Sequence, residues 1–415
     1  ACIVVGTLCS NAKTVRYQHN DMDQLRKLLE KEDSSLGKII VSDGVFSMSG
    51  RLANIPGLVK LAKESGAKGI NLAGMCCTAN EVLMRHGIPV AGNFLQQELA
   101  IITGGVDLMI VDVQCIMPAL GSLAQCYHTK IISTSPKAKF PHVQHVEFDE
   151  HKAFDIAKKI VRMGVENYKN RKKELVNIPD EKMDLVAGFT AENVFNLLGG
   201  KYRATYRPLN DAIISGRLRG AVGIVGCNNP KIKHDSGHVL LAKELIKKDV
   251  LVVVTGCSAI ADAKAGLLKP EAAYEYAGKG LKEICETVGI PPVLHLGSCV
   301  DCSRILTTLC HVINEGGLGE DISDLPVAGA APEWMSEKAV SIAFYVASSG
   351  VYTVLGLPFP VEGARELTKL LTEKFDEKIG ANFAFEPDPI KAADLIIKHL
   401  DKKREALKLN PVMYD

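Results

Sequence analysis

The chain has 415 residues, of which 47% are apolar and 23% charged, and its formal net charge is +1. That length exceeds what one hydrophobic core serves, so two or three domains are expected, and the apolar share argues against disorder. No basic block is present, which argues against nucleic acid as a partner.

No secretory signal is visible, and the start at Ala1 rather than Met leads to the expectation of a truncated N-terminus. The most membrane-like stretch, "AVSIAFYVASSGVYTVLGLPFPV", is broken by Ser-Ser-Gly and Pro. It reads as a buried helix followed by a buried strand, so no membrane span is expected and the protein is taken as soluble and cytoplasmic. Twelve cysteines in such a chain point to metal or redox chemistry before disulfides. The plainer alternative is that a free cysteine is a small apolar core residue.

In chain order, "VRYQHNDMDQLRKLLEKED" reads as a turn and a helix, with His19-Asn20-Asp21 as a cap. "KIIVSDGVFSM" reads as a strand ending at Asp43-Gly44. From about residue 66 a repeating pattern takes over. The expected strands are "GINLAG", "DLMIVDV", "KIISTS", "AVGIVG", "VLVVVTG", "PVLHLG" and "YTVLGLP". They are short and apolar on both faces, as parallel strands covered by helices should be. The expected helices include "TANEVLMRHG", "EHKAFDIAKKIVRMGVENYKNR", "HDSGHVLLAKELIKKD" and "PEAAYEYAGKGLKEICETVG". Alternation of this kind implies α/β architecture with doubly wound parallel sheets. The charged stretch "YKNRKKELVNIPDEKMD" reads as an interdomain connection.

Cysteines recur where the strands end. Cys76-Cys77, Cys115, Cys227, Cys257 and Cys299 each follow one of the expected strands. In open α/β sheets that edge is where ligands bind. Core packing has no preference for one end of a strand, so five equivalent placements point to a shared ligand. Zinc sites favour C-x-x-C pairs and ferredoxin clusters favour tight cysteine runs, and neither spacing occurs among these five. Widely spaced thiolates suit a larger iron–sulfur or mixed-metal cluster buried between domains. Cys76 rivals Cys77, and Cys302 in "CVDC" rivals Cys299, which is preferred because it follows the strand directly. Cys126, Cys285 and Cys310 fall in helix-like stretches and are expected in the core.

From about residue 66 to Asp415 the chain resembles the catalytic subunit of anaerobic nickel-dependent carbon monoxide dehydrogenase. The resemblance rests on "GAKGINLAGMCCTANEVLMRHGIPVAGNFLQQE", "VDVQCIMPAL", "STSPKAKFPH", "VGCNNPK", "TGCSAIADAKAGLL", "LHLGSCVD" and "APEWMSEKAVSI". It implies a prismane-like fold of two Rossmann-like domains, residues 65–178 and 179–415, that bind a nickel–iron–sulfur cluster. By motif, the resemblance makes Cys77, Cys115, Cys227, Cys257 and Cys299 the cysteine ligands. It makes Lys338 the group that stabilises bound carboxylate or carbon dioxide, against the alternative of an ordinary surface lysine near a helix start. The implied reaction is reversible oxidation of CO with water to CO2, with electrons passing through further 4Fe-4S clusters to a ferredoxin-like acceptor. Homodimers, or complexes with acetyl-CoA synthase, are the implied assemblies.

The family's histidine ligand lies upstream in an H-G-H-like motif, which residues 1–65 lack; His19, in "QHND", is the only histidine there. The helical region that binds the electron-transfer clusters also has no counterpart. Residues 1–64 instead resemble a fragment of a pyridoxal-phosphate-dependent α-oxoamine synthase, through "ACIVVGTLCSNAKTVRYQHNDMDQLRKLL" and "IIVSDGVFSMSGRLANIPGLVKLAK". In that family an aspartate matching Asp43 pairs with the pyridine nitrogen, but the Schiff-base lysine has no counterpart. The alternatives to a carbon monoxide dehydrogenase are a non-catalytic or partially metallated chimera and a hybrid-cluster-type hydroxylamine reductase. A transferase built on the first 65 residues is the remotest.

Overall fold

The computed structural model describes residues 22–31, 45–46, 51–52, 71–112, 115–199, 205–378 and 380–414. His19, Asn20, Asp21 and Asp43 lie outside the described residues, so the cap and cofactor readings placed on them are not addressed. Helix α1 (Met22–Lys31) is the helix expected near the N-terminus. Val45–Phe46 pairs antiparallel with Arg51–Leu52, just beyond the expected end of the strand at Asp43-Gly44.

Two small parallel ladders follow. Strands β1 (Gly74–Met75) and β2 (Val90–Gly92) pair across helix α2 (Cys76–His86). Strands β3 (Leu108–Val111), β4 (Lys130–Ser133) and β5 (Gln144–His145) form the second ladder. Helices α3 (Gln97–Ile102), α4 (Ala119–Ala124) and α5 (Ala153–Asn167) cover it. Strand β4 shows why both faces are apolar. Ile131 packs with Ile101 and Leu120, whereas its neighbour Ile132 packs with Val146 and Ile160. Successive side chains point to opposite faces, and here each face meets a different helical layer.

The expected interdomain connection holds two single-turn helices, Tyr168–Asn170 and Lys173–Leu175. Beyond it come α6 (Ala191–Gly199), α7 (Arg207–Ile214), β6 (Gly220–Ile224), α8 (Ser236–Lys247), β7 (Val250–Thr255) and α9 (Gly256–Lys264). The chain continues through α10 (Ala272–Tyr276), α11 (Lys279–Val288), β8 (Val293–Gly297), α12 (Cys302–Glu315) and β9 (Val327–Ala331). It ends with α13 (Glu337–Ser348), β10 (Tyr352–Leu355), α14 (Arg365–Lys369), β11 (Phe383–Phe385) and α15 (Pro389–Ala406). The six strands form one parallel sheet in the order β8-β7-β6-β9-β10-β11. Counted from β6, that is the doubly wound order of a dinucleotide-binding fold, with the reversal between β6 and β9. Helices α8 and α15 pack together on this sheet, while α12 with α6 and α7 forms another layer.

Three sequence expectations change. Of the expected strand "GINLAG", residues 71–73 are irregular, and the strand is Gly74–Met75. "PEAAYEYAGKGLKEICETVG" is not one helix; it breaks at Ala277-Gly278 into α10 and α11. The break brings Gly278 against Asp249, where an added Cβ would stand 2.4 Å from Asp249 Oδ1. Strand β9, "VAGAA", is not among the expected strands, because alanine and glycine carry little strand preference. Its five residues are all buried in the middle of the sheet. The membrane-like stretch divides into α13 and β10 as expected, and among the described residues no helix is long and apolar enough to cross a membrane.

Candidate functional site

The expected cysteines converge on the carboxyl edge of the sheets. Cys76 opens α2 directly after β1, and Cys77 is the next residue. Cys115 comes from the segment after β3. Cys76 and Cys115 both adopt left-handed backbone, with φ of 58° and 56°. For a residue other than glycine that conformation costs about 1–3 kcal/mol, so its surroundings must impose it.

Glycines let the other segments approach. Gly226, at φ 113°, offers its carbonyl to Cys257 N at 3.0 Å, and Cys299 Sγ lies 3.9 Å from the same oxygen. Gly256, at φ 68°, lies so close to Cys299 that an added Cβ would stand 2.3 Å from its Sγ. Side chains are excluded there both by backbone conformation and by the neighbouring sulfur.

Cys76 Sγ lies 3.6 Å from Cys257 Sγ, and Lys338 Nζ lies 3.2 Å from Cys77 Sγ. Cys76, Cys115 and Cys299 also lie close enough to Cys77 to shift the acidity of its thiol. Four expected residues, Cys77, Cys115, Cys257 and Cys299, therefore share one array with Cys76 and Lys338. Cys227 is buried beside it, 3.6 Å from Ser336 Oγ, the cap of α13. Cys227, Cys299 and Lys338 line one cavity of about 30 Å3, whose other walls include Val225, Ala331 and Ile342. That is room for about one small molecule. Cys302 lines the same cavity and meets Thr255 Oγ1 at 3.3 Å. A second apolar cavity of about 100 Å3 shares Val225, Cys302, Gly329 and Val346 with the first.

The array holds its protons unevenly. Hydrogen bonds from Cys115, Cys299 and Cys76, and then the Lys338 ammonium, hold the Cys77 thiol far below its ordinary range. Cys115 is pushed up by its bonds to Cys76 and Cys77, and Cys299 by its bond to Cys77 and by burial. Burial pushes Lys338 down, but the charges of Cys299, Cys77 and Cys115 outweigh it and raise its pKa. The pattern favours the thiolate form at Cys77, beside neighbouring thiols and the half-buried Lys338 ammonium.

Among the described residues, no three His, Cys, Asp or Glu side chains are spaced to hold a single metal ion. The nearby buried histidines face other groups: His238 Nε2 meets Cys227 O at 2.7 Å, and His295 Nε2 meets Asn80 Oδ1 at 2.8 Å.

Cys285 is buried as expected, but Cys126 and Cys310 are exposed. Cys126 lies past the end of α4, and Cys310 sits one position beyond the buried Leu306 and Leu309 stripe of α12. Sequence reasoning missed Asn80, Glu81 and Ser298, which bind the cysteine-bearing segments to one another. Ser298 Oγ donates to Glu81 Oε1 at 2.6 Å. The only available signal was a polar pair one turn beyond the first cysteine.

The fold and site together define a doubly wound α/β protein with a thiol array at the edge where ligands gather. The prismane/CO dehydrogenase family model matches residues 51–390, and the chain belongs to that family. Carbon monoxide dehydrogenase 1 of Methanosarcina mazei is 56% identical over 408 residues, covering 98% of this chain and 62% of the relative. The carbon monoxide dehydrogenase/acetyl-CoA synthase subunit beta of Moorella thermoacetica is 43% identical over 392 residues, covering 92% of this chain and 56% of that subunit. Among solved structures, nickel-free carbon monoxide dehydrogenase from Thermococcus sp. AM4 aligns with a TM-score of 0.78 and 56% identity, covering 85% of this chain and 54% of the other. The chain thus spans little more than half the length of these relatives.

The likeness starts earlier than the motifs near residue 66 imply, since the family model begins at residue 51. A second model, aminotransferase class I and II, matches residues 7–72, in keeping with the resemblance of residues 1–64 to a pyridoxal-phosphate enzyme.

Proposed function

We propose that this chain carries the cluster-binding part of a carbon monoxide dehydrogenase, whose whole-protein activity is reversible oxidation of CO with water to CO2. One observation carries the reading: cysteines from separate segments far apart in sequence meet beside a half-buried lysine at one sheet edge.

The donor set fits a nickel–iron–sulfur cluster. It is soft, it is extended rather than arranged around one ion, and it is drawn from both sheet systems. Cys77, Cys115, Cys227, Cys257 and Cys299 are the residues proposed to hold it. When bound, such a cluster supplies two-electron redox chemistry at a small carbon substrate.

The chain's own residues do the rest. Lys338 keeps its proton, and its Nζ donates to negative charge developing on substrate oxygen. In a water-poor pocket that donation is worth far more than in solvent. Val225, Ala331 and Ile342 wall the adjoining cavity and exclude water from it. An uncharged diatomic suits such a wall better than an ion does.

The proposal extends to residues 65–178 and 179–415 as two cluster-binding domains after an N-terminal piece, residues 1–64. It extends also to a ferredoxin-like acceptor, a homodimer or acetyl-CoA synthase complex, and a cytoplasmic location. The name of the Moorella relative supports the complex.

Anaerobic reconstitution with iron, sulfide and nickel, followed by metal analysis and CO-dependent viologen reduction, tests the reading. Nickel together with iron supports the proposed site. Iron alone would favour the hydroxylamine-reductase alternative, and little metal would overturn both. A loaded chain that leaves viologen oxidised would keep the site and remove the activity from this chain.

A further inference from the structure

We propose that Asn80 is a positioning residue that sets the α2 cysteine pair in register with Cys257 and Cys299 before any metal arrives. The inference rests on the proposed function only for what the thiols go on to hold.

Asn80 is fully buried and lies one turn beyond Cys76 in α2. Its Nδ2 donates to Cys76 O and to Gly256 O, both at 3.1 Å. Its Oδ1 accepts from His295 Nε2 at 2.8 Å. One side chain therefore binds three cysteine-bearing segments: the start of α2, the start of α9 next to Cys257, and strand β8, which runs on to Cys299. These segments are distant in sequence and belong to both sheet systems.

The geometry leaves Asn80 no freedom. Two carbonyls take both Nδ2 protons, so the amide orientation is dictated by its partners. The oxygen then requires a donor, which sets His295 in the Nε2–H tautomer, and among the described residues its buried Nδ1 has no partner. Asn80 also holds the carbonyl of Cys76, the residue in left-handed backbone. Core polar networks in which the donors are all used specify one arrangement of their neighbours.

Asn210 supplies a matched comparison. It is equally buried, and its Nδ2 also donates to two carbonyls, Val312 O at 2.8 Å and Gly316 O at 2.9 Å. These carbonyls belong to the end of α12, outside the thiol array.

The test uses the full chain, metal-free and reduced, treated with diamide. Cys76 and Cys257 give up two protons and two electrons to form a disulfide, and diamide takes up both as the hydrazine. Peptide mass spectrometry follows the rate of that cross-link. Asn80→Asp turns two attractive contacts into carboxylate–carbonyl repulsion, and the cross-link should slow roughly tenfold or more. Asn210→Asp should leave the rate within about twofold while lowering the melting temperature comparably.

Cross-linking of Asn80→Asp at the wild-type rate would overturn the proposal, and so would equal slowing by Asn210→Asp. Should Asn80→Asp not fold, Asn80→Ser serves under the same criteria. Iron uptake on reconstitution gives a second readout, expected to fall in the Asn80 variants and to persist in Asn210→Asp. A wild-type chain that takes up no iron would count against the proposed function, and the cross-linking rate would still decide the role of Asn80.

Discussion

Lys338 Nζ donates to Cys77 Sγ at 3.2 Å although 261 positions separate them in the chain. Cys77 comes from the start of α2, beside the small β1–β2 ladder, and Lys338 from the first turn of α13 on the six-stranded sheet. Their contact is where charge and sulfur chemistry meet.

The first prediction follows from that contact. Lys338→Met removes the ammonium that helps hold Cys77 as a thiolate. In the metal-free chain, the acid limb of the pH profile for alkylation of Cys77 by iodoacetamide should move to higher pH, because the thiolate is the reactive form. Lys338→Arg, which keeps the charge, should move it less. Peptide mapping of the alkylated chain reads both.

Gly256 separates local strain from crowding. Gly256→Ala meets a left-handed backbone and a sulfur 2.3 Å from the new Cβ. Gly266→Ala meets a similar backbone, φ 75°, with nothing within 4 Å among the described residues. Gly266→Ala should cost about 1 kcal/mol of unfolding free energy, and Gly256→Ala several times that. Only Gly256→Ala should also abolish iron uptake. Urea titration and iron analysis decide the matter.

Buried histidines set a pH dependence. Burial pushes His295 down from 6.5 to about 4, and His399, stacked on Tyr352, is likewise pushed down to about 4. Between those values the unfolded chain binds protons that the folded chain refuses. Stability is therefore complete above pH 6.5 and falls as pH drops toward 4, by about 3 kcal/mol for the fully buried His295. His295→Gln should flatten that slope, as measured by urea midpoints across the range.

Asp107 acts further into acid. Burial pushes its carboxyl up, but Arg171 and His128 outweigh burial and hold it below its ordinary 3.8. A depressed carboxylate stabilises above its unfolded value and loses that contribution as pH falls through the folded one. Asp107→Asn should therefore destabilise the chain near neutral pH and matter progressively less below 3.8. A series of thermal melts across the acid range would show it.

The strand–helix alternation, the doubly wound class and the strand-end cysteines can be read from residue order, because burial on both faces and sharp strand ends leave local marks. Strand β7, "VLVVVT", declares itself by composition; β9, "VAGAA", does not, and its place is set by pairing with β6 and β10 on either side.

The sequence alone determined which thiols stand at strand ends and which lysine opens α13. It left Cys76 beside Cys77 and Cys302 beside Cys299 as rivals, because spacing carries no direction. Only the tertiary structure decided that Cys76 meets Cys257 and Cys77 meets Lys338, and that Cys302 lies against Thr255 while lining the cavity that Cys299 shares. Those contacts depend on two separate sheet systems docking, with Asn80, Glu81 and Ser298 binding the segments together. Hydrogen bonds across some two hundred positions leave no periodic trace in the chain.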